Sequence, residues 1–227
     1  MKKSSFIRDN IEVIRKDIEK YKTVSGDILL LAVSKNVSSE KIREAYEAGI
    51  RDFGENYLQE AIVKMETLKD LDIRWHFIGH LQSNKAGKVA ENFYLIQSVD
   101  TFKLARIMNE KGVIMGKNLK ILLQFNLSGK DTKFGFNLNN LSEIKEISKF
   151  ENIKLEGLMA MAPYFENPEE SRPYFRKMKD LSLELKNIYN LEINYLSMGM
   201  TGDYKVALSE GANLVRIGSG IFGARTY

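Results

Sequence analysis

The sequence predicts an α/β protein of the (β/α)8 TIM-barrel type, with one extra helix ahead of the first strand. Three observations carry that prediction. Short runs rich in Ile, Leu, Val, Phe and Tyr recur near 28–34, 51–54, 73–78, 93–98, 119–127, 153–159, 193–197 and 213–217. The stretches between them have helical spacing and lack tight hairpin turns, so successive strands pair in parallel. With three prolines and no Gly/Ser tract or charge block, nothing marks a linker, and 1–227 reads as a single domain. Eight such units close naturally into a barrel; a doubly wound open sheet is the alternative.

Taken in order, the elements begin with a helix over about 4–23, followed by the most apolar strand, which ends in LLLAVSK. In 41–48, Ile42, Ala45, Tyr46 and Gly49 recur at intervals of three and four, as a buried helix stripe should. Phe102, Leu104, Ala105 and Met108 do the same in 101–111. A longer helix over 168–189 opens with Pro168, followed by Glu169 and Glu170. The missing proline N–H costs little there, and the helix dipole favours carboxylates.

Composition excludes several classes of chemistry. With 44% hydrophobic and 28% charged residues the chain can build a core and is not a disordered one. It has no cysteine, which removes disulfides, thiolate nucleophiles, cysteine-ligated zinc and iron–sulfur clusters. Two histidines rule out a three-histidine metal site. The charge is 34 − 30 = +4 and scattered, without the basic, aromatic-interleaved stripe of a nucleic-acid binder. The N-terminus MKKSSFIRDN lacks a signal-peptide core, and the run Ile28 to Val33 is far too short to span a bilayer. The expectation is a cytoplasmic protein with neither a nucleic-acid nor a membrane partner.

A βα barrel keeps its active site at the carboxyl ends of the strands. Those ends supply Lys35, Glu55-Asn56, His80, Ser98-Asp100, Asn126, Met161 through Tyr164, Ser197 and Arg216. On position alone Lys35 is a solvated lysine closing a strand; the functional alternative is a desolvated amine that attacks a carbonyl. Glycine-rich turns follow strands seven and eight, as LSMGMTGD and RIGSG. Barrel enzymes often bind phosphate there, on backbone N–H groups that small residues leave accessible. Gly218, Gly220 and Gly223 spell G-x-G-x-x-G, but the following strand and acidic residue of a dinucleotide site are missing, so the match is accidental. Arg216, in an apolar strand end, needs a partner: either a structural carboxylate or an acceptor on a ligand.

His76 and His80 would lie roughly 13 Å apart on one strand, too far for a shared ion, and no metal site is expected. His76 reads as a core histidine and His80 as the site candidate. Met159, Met161, Met198 and Met200 read as core filler, although an apolar wall beside a planar ligand would use the same residues.

Together these segments resemble the pyridoxal 5′-phosphate (PLP) homeostasis proteins, the YggS/PROSC family, related to the N-terminal barrel of alanine racemase. The resemblance rests on LLAVSK, DFGENYLQE, WHFIGHLQSNK, GLMAMAPY and LSMGMTGDYKVALSEGANLVRIGSGIFGAR, which cover essentially the whole chain in order. It implies a fold-type III PLP barrel with the cofactor on Lys35 as a Schiff base. Ser197 and the Met198 backbone, with Gly218 and Ser219, would match the phosphate cradle. Arg216 would face the pyridine nitrogen, and Asn56 and His80 would line the pocket. Two departures stand out: Thr201 where the family often has serine, and Gly220 in place of a bulkier residue.

The resemblance also implies a role. Alanine racemase takes a second base from a C-terminal domain, whereas this sequence stops after strand eight, so efficient racemisation is not expected. The reading is a PLP carrier that limits free aldehyde, with apo-enzymes as candidate recipients, working as a monomer. A weak racemase or another PLP enzyme is the alternative; a sugar-phosphate barrel is a third.

Overall fold

Buried isoleucines spaced four, three and four residues apart open the fold. Ile7, Ile11, Ile14 and Ile18 line one face of α1 (Phe6–Tyr21), capped by the Ser5 hydroxyl, which accepts from the Arg8 N–H. The computed structural model describes residues 5–127, 134–138 and 141–224. After α1 come β1 (Leu29–Val33), α2 (Ser39–Glu47), β2 (Asp52–Glu55), α3 (Leu58–Thr67), β3 (Arg74–Phe77) and α4 (Ala86–Asn92). The chain continues through β4 (Leu95–Val99), α5 (Phe102–Met115), β5 (Leu119–Phe125), α6 (Ser142–Ile147) and β6 (Ile153–Ala160). It closes with α7 (Arg172–Tyr189), β7 (Tyr195–Met200), α8 (Tyr204–Ser209), β8 (Leu214–Ile217) and the single turn α9 (Ser219–Phe222).

The eight strands form a closed parallel barrel in sequence order, and β8 returns to β1 with Leu214 opposite Leu29 and Ile217 opposite Ala32. Closure excludes the open-sheet alternative. α1 packs against α2, α8 and α9, tied there by Asn10 Nδ2 donating to the Ile221 carbonyl and by the Tyr204 hydroxyl donating to Asp17. No described helix is long and apolar enough to cross a membrane.

Strand alternation sorts side chains to two sides of the barrel wall. Ala32, Phe53, Phe77, Ile96, Ile121, Leu158, Leu196 and Val215 face outward into the main core with the helices. Leu31, Leu95, Leu122, Met159 and Leu214 form a separate cluster inside. Polar groups share the interior: His76 is fully buried between Asp52 and Gln97, the core histidine that the sequence suggested.

Among the boundaries that differ from the sequence expectation, two change the layout. The helix expected over 168–189 is a 3-10 turn at Pro168–Ser171 followed by α7, because Pro173 fits only the first turn of a new α-helix. Strand seven, expected over 193–197, runs on through Met200. The second shift changes the site.

Candidate functional site

Since inward positions alternate, Val33 and Lys35 both point over the mouth of the barrel, while Ser34 between them points into the outer layer. They line a cavity of about 260 Å³ with Asn56, Ile78, Met159, Met161, Met200, Thr201, Gly202, Arg216, Gly218 and Ser219. A neighbouring cavity of about 340 Å³, reaching Ser38 and Lys41, shares Val33, Gly218 and Ser219. The first holds the reactive side chains: an amine, a guanidinium and an amide.

The turn bearing Lys35 is held from behind by a buried ion cluster. Ser34, fully buried, donates its hydroxyl to Glu55 Oε1 at 2.6 Å. Lys64, also buried, donates to the same oxygen at 2.8 Å, to the Ser34 carbonyl at 2.6 Å and to Glu60. Glu60 in turn accepts from the Asn36 N–H at 2.6 Å, with Asn36 in the left-handed region at φ 58°. Both peptide flanks of Lys35 are thereby fixed. Burial pushes the Glu55 carboxyl above its usual range, against the pull of Lys64, and its Oε2 has no hydrogen-bond partner.

On the other side of the barrel Arg216 is buried. It donates from NH1 to the carbonyl and hydroxyl of Ser197, at 2.8 and 2.6 Å, and from NH2 to the Ala160 carbonyl at 2.8 Å. These are neutral acceptors, so the structural-carboxylate reading of Arg216 is not what the geometry shows. Burial lowers its pKa to about 10, with Asp203 opposing; it stays a cation at neutral pH.

Asn56 follows β2 with its Oδ1 buried and unpartnered. Gly79 makes that placement possible, because a Cβ there would meet the Asn56 carbonyl oxygen at 2.1 Å. Thr201 and Gly220, the two positions set apart in the sequence, adjoin each other. A Cβ at Gly220 would meet Ile217 Cγ2 at 2.9 Å and Thr201 Cγ2 at 3.2 Å. The extra methyl of Thr201 thus lies against the space that Gly220 leaves open, and Thr201 Oγ1 accepts the Gly220 N–H.

Of the eight expected site residues, Lys35, Asn56, Arg216, Gly218 and Ser219 line the cavity. Ser197, Met198 and His80 do not. Because β7 continues to Met200, Ser197 lies within the strand, one layer below the rim, and its hydroxyl donates to Gln97 Oε1 at 2.7 Å. The Met198 side chain belongs to the outer core. Thr201 and Gly202 take the rim position instead. His80 stands at the periphery, its Nδ1 3.5 Å from Asp100 and its ring stacked on Phe134. Met161 and Met200 are exposed at the cavity rather than core filler, Met198 is filler in the outer core, and Met159 does both, buried in the interior cluster and lining the cavity floor. No group of three or more His, Asp or Glu side chains suited to a metal occurs among the described residues.

Sequence reasoning missed Lys64 and Gln97. Lys64 had a signal: it falls on the buried stripe of α3 with Leu58 and Ala61, where a lysine requires a partner. Gln97 had none beyond its place in an apolar strand.

Comparison with known proteins agrees with this geometry. Residues 5–226 match the family model "Alanine racemase, N-terminal domain". A pyridoxal phosphate homeostasis protein of Aquifex aeolicus is 43% identical over 218 residues, covering 96% of each chain. PipY of Synechococcus elongatus, solved with PLP bound, superposes with a TM-score of 0.87 at 36% identity, over 96% of this chain and all of that one. Alanine racemase of Clostridium difficile shares the fold at a TM-score of 0.78 and 18% identity, over 96% of this chain and 60% of its own.

Proposed function

We infer, since this chain belongs to the pyridoxal phosphate homeostasis protein family and to the alanine racemase N-terminal domain family, that it binds PLP reversibly and acts in PLP homeostasis. One observation carries the reading: Lys35, Arg216 and Asn56 share one cavity. The residues fit the cofactor. An aldehyde needs an amine, a ring nitrogen needs a donor, and a phosphate needs a rim of small residues, here Gly202, Gly218 and Ser219. Asn56 lines the same cavity, and its buried oxygen has no protein donor.

When bound, PLP supplies a carbonyl for covalent attachment and a ring able to withdraw electrons. Lys35 provides the anchoring amine, and the Glu55–Lys64–Glu60 cluster keeps its turn from drifting. Arg216, a donor only, keeps its protons and leaves the ring nitrogen unprotonated, which weakens electron withdrawal. That favours holding the cofactor over transforming amino acids with it. The proposal extends to a single working domain over 1–227, a monomer in the cytoplasm that passes PLP to apo-enzymes, with His80 at the mouth.

The test is an absorption spectrum of the purified protein with added PLP, before and after borohydride, with peptide mass mapping. The expected result is an imine band that collapses to a pyridoxyl mass on Lys35 and is absent in Lys35→Ala. No band with the native chain, or an adduct on another lysine, overturns the reading.

A further inference from the structure

A barrel that needed only a core would fill its centre with aliphatic side chains. Here a continuous polar path crosses it. Arg216 NH1 donates to Ser197 Oγ, which donates to Gln97 Oε1; Gln97 Nε2 lies 3.0 Å from His76 Nδ1; His76 Nε2 lies 2.9 Å from Asp52 Oδ1. Arg74 closes the far end with bonds of 2.8 and 2.6 Å to the two Asp52 oxygens. From Arg216 to Asp52 every member is buried.

The chemistry of the ends fixes the direction of each bond. A guanidinium only donates and a carboxylate only accepts. Ser197 has one hydrogen, and since it receives from Arg216 it gives that hydrogen to Gln97. Gln97 has then used its oxygen and presents its NH2 to His76. His76 Nδ1 must accept, so its hydrogen sits on Nε2 and goes to Asp52. All the bonds run one way, from β8 to β2. Burial lowers the His76 pKa, in keeping with a neutral ring; the charged groups acting on it are Asp52, Arg74 and Lys120.

We propose that His76, which does not line the cavity, is a positioning residue for Arg216: as the neutral Nε2–H tautomer it sets the Gln97 amide, and through it the Ser197 hydroxyl. The proposal rests on the reading of Arg216 as the partner of the ring nitrogen. With the hydrogen on Nδ1 instead, Gln97 would have to turn its oxygen to His76 and its NH2 to Ser197. The serine hydrogen would then face a guanidinium that cannot accept it, and Arg216 would lose its seat. Packing alone does not require such a path, since aliphatic side chains fill a barrel without the cost of desolvating polar groups.

Nitrogen-15 NMR of the histidine-labelled protein without PLP reads the tautomer directly. The chain has two histidines, so His80→Gln completes the assignment. A neutral Nε2–H form of His76 at pH 7 is expected; an Nδ1–H form or an imidazolium overturns the proposal. The anchor is then varied. Asp52→Asn keeps an oxygen for His76, and is expected to preserve the tautomer, the PLP affinity and the absorption maximum of bound PLP. Asp52→Leu removes it, and is expected to admit the Nδ1–H form, weaken PLP about tenfold and shift that maximum. If Asp52→Leu folds, as checked by circular dichroism, and leaves all three unchanged, the relay is wrong; if it does not fold, the native tautomer and Asp52→Asn decide. A native protein that shows no imine band with PLP sinks the proposed function instead, and leaves the tautomer measurement intact.

Discussion

The two residues that would hold a cofactor, Lys35 and Arg216, are supported in opposite ways. Behind Lys35, outside the barrel wall, stand two carboxylates and one ammonium: Glu55, Glu60 and Lys64. Behind Arg216, inside the wall, stand two neutral links, Ser197 and Gln97, and charge is met again only beyond His76, at Asp52. An ion cluster resists displacement through charge and tolerates the loss of no single partner. A neutral path carries direction and depends on where hydrogens sit. Supporting the two anchors separately lets one side be altered without disturbing the other.

The largest expected effect breaks the Lys35 side. Lys64→Met leaves two carboxylates facing each other, one of them buried, and should cost about 3–5 kcal/mol in urea unfolding. Adding Glu55→Gln to Lys64→Met should return part of that loss. If the double variant is as unstable as the sum of the two single ones, Glu55 and Lys64 are not a coupled pair.

A smaller effect sharpens the contrast through pH. Asp52, held to about 2 chiefly by the bonds from Arg74 and His76 that outweigh its burial, binds fewer protons folded than unfolded. Its contribution is therefore complete above the ordinary value of 3.8 and is lost as pH falls toward 2. Glu55 has the reverse sign: its folded pKa is raised from 4.5, so stability falls as pH rises through the window above that value. In urea midpoints against pH, the acid limb, which Asp17, Glu156 and Glu210 share, should become shallower in Asp52→Asn, and the upper slope, which Asp100 and Asp203 share, should become shallower in Glu55→Gln. The same variant flattening both limbs would show that the two sides are not independent.

The smallest effect lies at the rim. Gly220→Ala pushes a methyl against Ile217 and Thr201, and should cost about 1–3 kcal/mol. Thr201→Ser in the same chain should recover the part due to Thr201, and thermal melts would show it. No recovery would place the whole strain on Ile217.

The fold was legible because strands of a closed barrel are covered on both faces and read as unbroken apolar runs. The run at 153–159 became Ile153–Ala160, and that at 213–217 became Leu214–Ile217. The rule that barrels act at their strand ends pointed to Lys35, Asn56 and Arg216, which line one cavity. It failed at Ser197 for a physical reason: LSMGM mixes small and apolar residues, and pattern alone gave no sign that pairing with β8 carries the strand on to Met200 opposite Arg216. The polar path was illegible for a related reason. Asp52, Gln97 and Ser197 come from three distant strands, and only the closed barrel brings them within reach of one another.

Thr201 and Gly220 carry a historical consequence. A side chain at 220 has to displace Ile217 as well as the methyl at 201, so a descendant that first sheds that methyl removes one of two obstacles, and the order of mutations at the two positions affects which are tolerated. A swap of either residue alone from a relative would misjudge what the other permits.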